Sequence, residues 1–128
     1  MADTVAPPTR VATAGAVAAV VTAHRYRYAN EADLQAGIAA ALRSAGYPVR
    51  REVPLSRRDR IDVLVDRVGV EVKLAGRLPD VTRQLARYAR TGRVDELVLV
   101  TTRAEHRRCP DRLNGLPVQV AWLNQVIA

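Results

Sequence analysis

A chain of 128 residues, 48% of them hydrophobic, is long enough for one domain with a proper core and too hydrophobic for a disordered protein. Its net charge of +7 and its sequence pI of about 10.7 indicate a polyanionic partner, most simply nucleic acid. The single cysteine, Cys109, excludes an internal disulfide and a cysteine zinc cluster. We expect one cytoplasmic domain over residues 1–128, with His24 and His106 at its surface.

The first 28 residues predict an arm, a helix and a connector. Residues 1–10 are polar and contain proline, which favours an extended arm. Val11–Ala23 is too short to span a bilayer, and its lack of leucine favours a helix over a signal-peptide core. Its small residues would permit close packing, including against a second subunit. The connector alternates basic and aromatic residues, so Arg25 and Arg27 either contact phosphates or belong to a polar link.

The segment from Asn30 to Ala45 predicts a helix with an asparagine cap and a glycine stop. Glu31 falls in line with the apolar residues of this helix, which turns its carboxylate toward the expected sheet. A buried carboxylate needs a partner, whereas an ordinary acid in a first turn stays solvated. Val49–Leu55 then predicts a strand, and Pro54 favours a place for it at a sheet edge.

Asp59–Lys73 contains two runs that alternate apolar and polar residues, which predicts a β-hairpin. Asp66 and Gly69 suit the first and last positions of a type I turn between the runs. One face of the hairpin should be apolar, and its members are Ile61, Val63, Val65, Val70, Val72 and Leu74. Placing both runs on one core requires a loop of two or four residues, because directly opposed residues point to the same face.

Either loop length also gathers Asp62, Glu71 and Lys73 on the opposite face of the hairpin. Two neighbouring carboxylates repel each other unless a cation lies between them. Oxygen ligands at this density suit Mg²⁺ or Mn²⁺. The residues alone are also compatible with a half-exposed hairpin that carries a surface ion pair.

Asp62, eight intervening residues and then Glu71-Val72-Lys73 resemble the PD-(D/E)XK nuclease motif, with Ile61 in place of its proline. The resemblance implies that Asp62 and Glu71 bind the metal together with the Val72 carbonyl. It also implies that Lys73 orients or deprotonates the attacking water, or stabilises charge on the phosphate. Glu31 would complete the metal shell, since several nucleases of this superfamily carry an acid on their first helix.

Three arginines lie at the start of the hairpin, where they would either contact phosphates or form a solvated turn. They are Arg57, Arg58 and Arg60. Pro79–Thr91 predicts a helix whose core stripe is Val81, Leu85 and Tyr88 and whose outer ridge is Arg83, Arg87 and Arg90. Gln84 lies at the edge of the stripe, where many members of the superfamily place a polar residue near the active site.

The remaining segments predict a central strand within Asp95–Thr101, a short helix or loop over Ala104–Leu113 and a last strand over Pro117–Leu123. Residues 30–101 therefore have the order αβββαβ, which is the core of the restriction-endonuclease-like fold of the same superfamily. That α/β fold has a mixed central sheet with flanking helices. Residues 11–28 would add a helix and a basic connector to it, and residues 102–128 a C-terminal extension.

The resemblance implies a DNA endonuclease that needs Mg²⁺ or Mn²⁺, uses no other small-molecule cofactor and acts as a homodimer away from membranes. In size, charge and first-helix acid the chain is most similar to archaeal-type Holliday-junction resolvases, and small phage nucleases fit equally well. Two alternatives remain open. One is a non-catalytic nucleic-acid-binding module on the same fold, and the other is an RNase or toxin.

Overall fold

The computed structural model describes residues 11–124 as a mixed α/β fold with one six-stranded sheet. The helices are α1 (Ala14–Thr22), α2 (Glu31–Ser44) and α3 (Leu78–Arg90), and a short 3₁₀ helix spans Ala104–Arg108. The strands are β1 (Arg50–Pro54), β2 (Arg60–Val65), β3 (Val68–Lys73), β4 (Glu96–Thr101), β5 (Arg112–Leu113) and β6 (Leu116–Trp122). The predicted arm at residues 1–10 and the last four residues of the predicted extension lie outside the described residues.

The six strands lie in the order β1-β2-β3-β4-β6-β5. The first three pair antiparallel, whereas β3, β4 and β6 run parallel to one another. Helix α3 makes the crossover that two consecutive parallel strands require. β1 lies at an edge of the sheet, and β4 lies between two parallel neighbours with all residues from Leu97 to Thr101 buried. Both placements were predicted.

The sheet has an apolar core on each face. Helices α1 and α2 cover one face, which includes Val63 and Val70, and α3 covers the other, which includes Leu64 and Leu97. Two turns of α1 are anchored by Val17 and Val21, which are fully buried. The apolar side of α1 therefore packs within this chain, so it does not offer the free surface for a second subunit that the sequence suggested.

The two-residue turn of the β2–β3 hairpin is centred on Asp66 and Arg67, because Val65 pairs with Val68. The prediction of an even-numbered loop is confirmed, but the type I turn that ends at Gly69 is wrong. Asp66 has a φ of +53°, as the first central residue of a two-residue hairpin turn requires. Aspartate tolerates this left-handed conformation better than most residues do.

Ile61 is not on the same face as Val63 and Val65, so that part of the prediction is wrong. It packs in the core beneath α3, against the backbone of Gly69. The regular β2–β3 pairing begins at Val63, because the side chain of Asp62 accepts the N–H of Val72 that a ladder would otherwise use. The alternation of faces therefore changes at Asp62.

Gly69 leaves no room for a side chain. A Cβ added there would lie 2.3 Å from Cδ1 of Ile61, 3.1 Å from Val94 and 3.2 Å from Leu97. We expect Gly69→Ala to lower the free energy of unfolding by about 1–3 kcal/mol, the usual cost of overpacking a core. Urea unfolding monitored by circular dichroism measures it. Gly15→Ala in α1 is the matched control, because a Cβ there meets nothing within 4 Å, and it should be neutral or stabilising. Equal stabilities for the two variants would contradict the packing described.

No helix within residues 11–124 combines the length and the apolar character that crossing a membrane requires.

Candidate active site at the carboxyl end of the sheet

Five strand ends meet along one border of the sheet, which we call the carboxyl end. β3, β4 and β6 finish there, with Lys73 beside Thr101 and Thr101 beside Trp122. β2 starts at this border because it runs antiparallel to β3, and the β1–β2 turn lies there too. Ends of parallel strands are the usual place for ligand sites in α/β sheets.

Asp62 and Glu71 lie on the neighbouring strands β2 and β3 near this border. Glu71 is buried and only 3% exposed, and Asp62 is partly buried. Oδ2 of Asp62 accepts a hydrogen bond of 2.7 Å from the N–H of Val72, which fixes the Asp62 side chain against β3. The structure therefore brings these two carboxylates together, as the alternation of the hairpin predicted.

Lys73 supplies the positive charge at this site. Its Nζ lies 3.4 Å from Oε2 of Glu71, and its side chain is 21% exposed against 4% for that of Glu71. The ammonium group thus reaches solvent on one side and the buried carboxylate on the other. It also lowers the pKa of Asp62 and of Glu71, though less than their burial raises both.

Burial and neighbouring negative charge raise the pKa of both carboxylates. Burial raises the pKa of Glu71 to about 8, and the charge of Asp62 adds to this. Burial likewise raises the pKa of Asp62 to about 6, with further contributions from the charges of Glu52 and Glu31. Two neighbouring carboxylates with raised pKa values are typical of functional sites, because a bound cation or a proton removes the repulsion between their negative charges.

Tyr88 belongs to the site, although the sequence indicated only a core position for it. Its hydroxyl lies 3.2 Å from Oε1 of Glu71 and 3.0 Å from the carbonyl of Arg60, and its one proton can be donated to either. Gln84 donates from Nε2 to the Tyr88 hydroxyl at 2.7 Å. Gln84 therefore reaches Glu71 through Tyr88. The sequence did contain a signal for this role, namely a tyrosine on the core stripe of α3. A buried tyrosine hydroxyl needs a hydrogen-bond partner, so a polar group could have been expected beside it.

Two more acids border Asp62. Glu31 points from α2 to the sheet, as predicted, where its Oε1 accepts a hydrogen bond of 3.1 Å from the N–H of Leu74. Glu52 on β1 was not singled out by the sequence. It lies across from Asp62, between the pairs Arg51–Val63 and Val53–Ile61, and has a φ of +52°. Such a backbone conformation is unfavourable for glutamate and occurs often at functional sites.

The predicted phosphate-binding arginines form two groups, and all five are exposed. The first group lies in and beside the β1–β2 turn at the carboxyl end, and comprises Arg57, Arg58 and Arg60. Arg25 and Arg27 instead line a pocket of about 310 Å³ alongside α2, and Gly37 and Ser44 of that helix line it too. None of the predicted metal ligands lines this pocket, so the structure does not bring the second group to the acids.

The β1–β2 turn is tied to α3 by an ion pair between Asp59 and Arg87, 3.2 Å apart. Arg87 was expected to face solvent with Arg83 and Arg90, and it is instead half-buried. The side chain of Asp59 is only 10% exposed. This pair therefore holds the basic turn in place beside the site.

His106 is fully buried, so the prediction of a surface position is wrong, whereas His24 is exposed as expected. Nε2 of His106 lies 2.7 Å from the carbonyl oxygen of Gly76. A carbonyl oxygen can only accept a hydrogen bond, so Nε2 carries the proton. Nδ1 then accepts from the Thr101 hydroxyl at 2.7 Å, and that oxygen accepts from the N–H of Arg103. Every polar atom of this network is satisfied, which accounts for the burial of a histidine.

Comparisons of this chain with family models, with curated proteins and with solved structures find no match. Within residues 11–124, no group of three or more His, Cys, Asp or Glu side chains is arranged so that it could hold a metal ion. The chemistry that the described residues offer at this border is that of two carboxylates, one lysine and a basic turn beside them.

Proposed function

We propose that the protein is a metal-dependent nuclease that hydrolyses phosphodiester bonds in DNA. The observation that carries the proposal is the pair Asp62 and Glu71 beside Lys73, because burial and neighbouring acids raise the pKa of both carboxyl groups. A divalent cation would relieve this repulsion. The exposed arginines of the β1–β2 turn would hold the polyanionic substrate next to it.

The fold supports the same proposal. From α2 to β4 the elements follow the order helix, three strands, helix, strand, and the acids lie on the second and third strands. We propose that this part of the chain is a restriction-endonuclease-like core. In that case Asp62, Glu71 and Lys73 occupy the positions that the superfamily motif gives to its metal ligands and lysine.

The residues present fit a magnesium ion that keeps several of its waters, rather than a site formed by protein ligands alone. Mg²⁺ in phosphoryl-transfer sites is commonly held by one or two carboxylates. Asp62 uses Oδ2 for the N–H of Val72, while its Oδ1 has no hydrogen-bond partner within residues 11–124. Asp62, Glu71 and the Val72 carbonyl would hold the ion, and Glu31 would act through a water.

In the proposed reaction a water oxygen bonds to phosphorus as one of its protons passes to solvent. The bond from phosphorus to the leaving nucleotide oxygen breaks, and that oxygen takes up a proton from solvent. Bound Mg²⁺ would supply positive charge to the phosphate and lower the pKa of a bound water. Lys73 would hold the attacking water or neutralise charge on the phosphate oxygens. Tyr88 and Gln84 would keep Glu71 in place through their hydrogen bonds.

One observation favours a non-catalytic nucleic-acid-binding module as the second candidate. Both oxygens of Glu71 already have protein partners, Tyr88 at 3.2 Å and Lys73 at 3.4 Å. A metal would have to compete with them, and a site that stays closed in this way would bind without cutting. An RNase on the same site would use the same chemistry with a different substrate.

A cleavage panel tests the proposal and separates these candidates. The substrates are supercoiled plasmid, a four-way junction, a flap, duplex DNA, single-stranded DNA and RNA, each with Mg²⁺, Mn²⁺ or EDTA. We expect cleavage of DNA with either metal and none in EDTA. Cleavage of RNA alone would favour the RNase, and binding of all substrates without any cleavage would favour the binding module.

We also propose a homodimer, because a two-fold assembly lets a small nuclease reach both strands of a duplex. The apolar side of α1 does not provide the interface, since Val17 and Val21 are buried within the chain.

A further inference from the structure

Arg107 and Trp122 form a cation–π pair at the carboxyl end of the sheet. Cζ of Arg107 lies 4.1 Å from the centre of the Trp122 ring, within the range of a cation–π contact. Trp122 is half-buried, so β6 holds the indole in place, whereas Arg107 is exposed. The guanidinium carbon therefore lies over the ring, while the Arg107 residue remains accessible to solvent.

This pair lies close to the proposed active site. Lys73 on β3 pairs with Thr101 on β4, and Thr101 pairs with Trp122 on β6. Two strand spacings place the backbones of Lys73 and Trp122 about 10 Å apart. Residues that pair on neighbouring strands lie on the same face of a sheet, so Lys73 and Trp122 share the face that α3 covers.

The 3₁₀ helix that carries Arg107 is fastened to this end of the sheet. His106, its immediate neighbour, makes hydrogen bonds of 2.7 Å with Thr101 and with Gly76, and so joins the end of β4 to the loop after β3. The backbone at Arg107 is thereby held before any ligand arrives. Pre-ordering of this kind lowers the entropic cost of binding.

Arginines outnumber acids around the pair, since the one acid of the 3₁₀ helix is Glu105. The 3₁₀ helix and the residue before it also contain Arg103 and Arg108, both exposed. Within residues 11–124, Arg103, Arg107 and Arg108 have no ion-pair partner. Arginine planes and aromatic rings are the two side-chain surfaces on which unpaired bases stack.

We propose that Arg107, supported by Trp122, is a stacking site for an unpaired base of the nucleic-acid substrate. The base would lie on the open side of the Arg107 plane, and the exposed arginines around it would pair with the neighbouring phosphates. The inference rests on the proposed function, which places the scissile phosphate at Asp62, Glu71 and Lys73. The unpaired base would then lie within a few nucleotides of that phosphate. Bases inside an intact duplex are already stacked on both sides, so the site selects single strands, gaps and branch points.

Trp122 is the only tryptophan of the chain, so its fluorescence reports directly on this site. Single-stranded oligonucleotide is titrated in Ca²⁺, which supports binding without cleavage in many metal-dependent nucleases, and total binding is measured by anisotropy of a labelled strand. We expect a saturable change in tryptophan fluorescence that follows the anisotropy, and a much smaller one with blunt duplex. An unchanged tryptophan signal at saturation would overturn the proposal.

Two substitutions of Arg107 separate stacking from simple charge. Arg107→Ala should weaken single-strand binding by about 5- to 100-fold, the usual effect of losing one base-stacking contact. Arg107→Lys keeps the charge but not the plane, so most of this loss should persist. Arg93→Ala is the matched control, because Arg93 is an exposed arginine in the turn before β4, at the opposite end of the sheet. Wild-type affinity in Arg107→Lys would overturn the stacking role.

Failure of this inference is distinguishable from failure of the proposed function. Cleavage in Mg²⁺ with no tryptophan response in Ca²⁺ would leave the nuclease in place and remove the stacking site. A tryptophan response lost in Arg107→Ala, without cleavage under any condition, would support the stacking site on a binding module.

Discussion

Lys73→Ala should lower the rate of cleavage by about 10²- to 10³-fold, while the affinity of the variant for DNA stays within about two-fold of the wild type. Removing one preorganised donor from a transition state commonly has an effect of that size on rate. Affinity comes instead from many phosphate contacts, of which one partly buried lysine is a small part. Single-turnover cleavage in Mg²⁺ gives the rate, and titration in Ca²⁺ gives the affinity.

The arginines of the β1–β2 turn should behave in the opposite way. Replacing Arg57 and Arg58 with alanine should weaken binding to all sequences and reduce the slope of log affinity against log salt by about one unit per lost contact. Arg93→Ala, at the other end of the sheet, is again the control and should leave the slope unchanged. If Lys73→Ala binds as weakly as the double arginine variant, chemistry and binding are not divided between these residues.

The second large effect concerns stability. Glu71 ionises with a pKa of about 8 in the folded protein against an ordinary value of 4.5. Between these values the folded protein holds a proton that the unfolded chain has lost, so raising the pH destabilises the metal-free protein. Glu71→Gln removes this effect. Its melting temperature should match the wild type near pH 4 and exceed it by about 4 °C or more at pH 8, the shift that 1 kcal/mol gives in a domain of this size.

Bound metal should reverse the order of the melting temperatures of the wild type and Glu71→Gln. Mn²⁺ at pH 8 should raise the melting temperature of the wild type, because a ligand that binds only the folded state stabilises it, and should leave Glu71→Gln unchanged. Asp66→Asn provides a control, since Asp66 is an exposed acid in the β2–β3 turn at the opposite end of the sheet. A wild-type melting temperature that rises from pH 5 to pH 8 without metal would contradict the burial of Glu71.

Five of the six strands could be predicted because their signals are local, whereas β5 lies in a segment for which a short helix or loop was predicted. Alternation in the hairpin fixed an even loop, and the pairing of Val65 with Val68 confirms it. The same alternation predicted that Asp62 and Glu71 lie close together. Alternation assumes a regular ladder, however, and the ladder is interrupted where the Asp62 side chain takes the N–H of Val72. That single tertiary hydrogen bond is why the face of Ile61 was mispredicted.

Long-range partners account for the other errors. His106 carries no local mark of burial, since one of its two partners, Gly76, lies in the loop after β3, 30 residues away in sequence, and the other is Thr101 at the end of β4. Tyr88 sits on the core stripe as predicted, but its hydroxyl reaches Glu71, 17 residues away in sequence. Glu52 becomes notable only through its positive φ beside Asp62. A sequence pattern assigns a side chain to a face, whereas these roles depend on what another element places there.

The most direct test of the central claim is the single-turnover cleavage rate of Glu71→Gln on the best substrate of the panel in Mg²⁺, with the fold verified by circular dichroism. Glutamine keeps the size of Glu71 and its hydrogen bond from Tyr88 but cannot supply a carboxylate to a cation. The account predicts a loss of at least about 10²-fold in rate, with DNA affinity in Ca²⁺ close to that of the wild type. Cleavage by Glu71→Gln at the wild-type rate, or undiminished wild-type cleavage in EDTA, would contradict it.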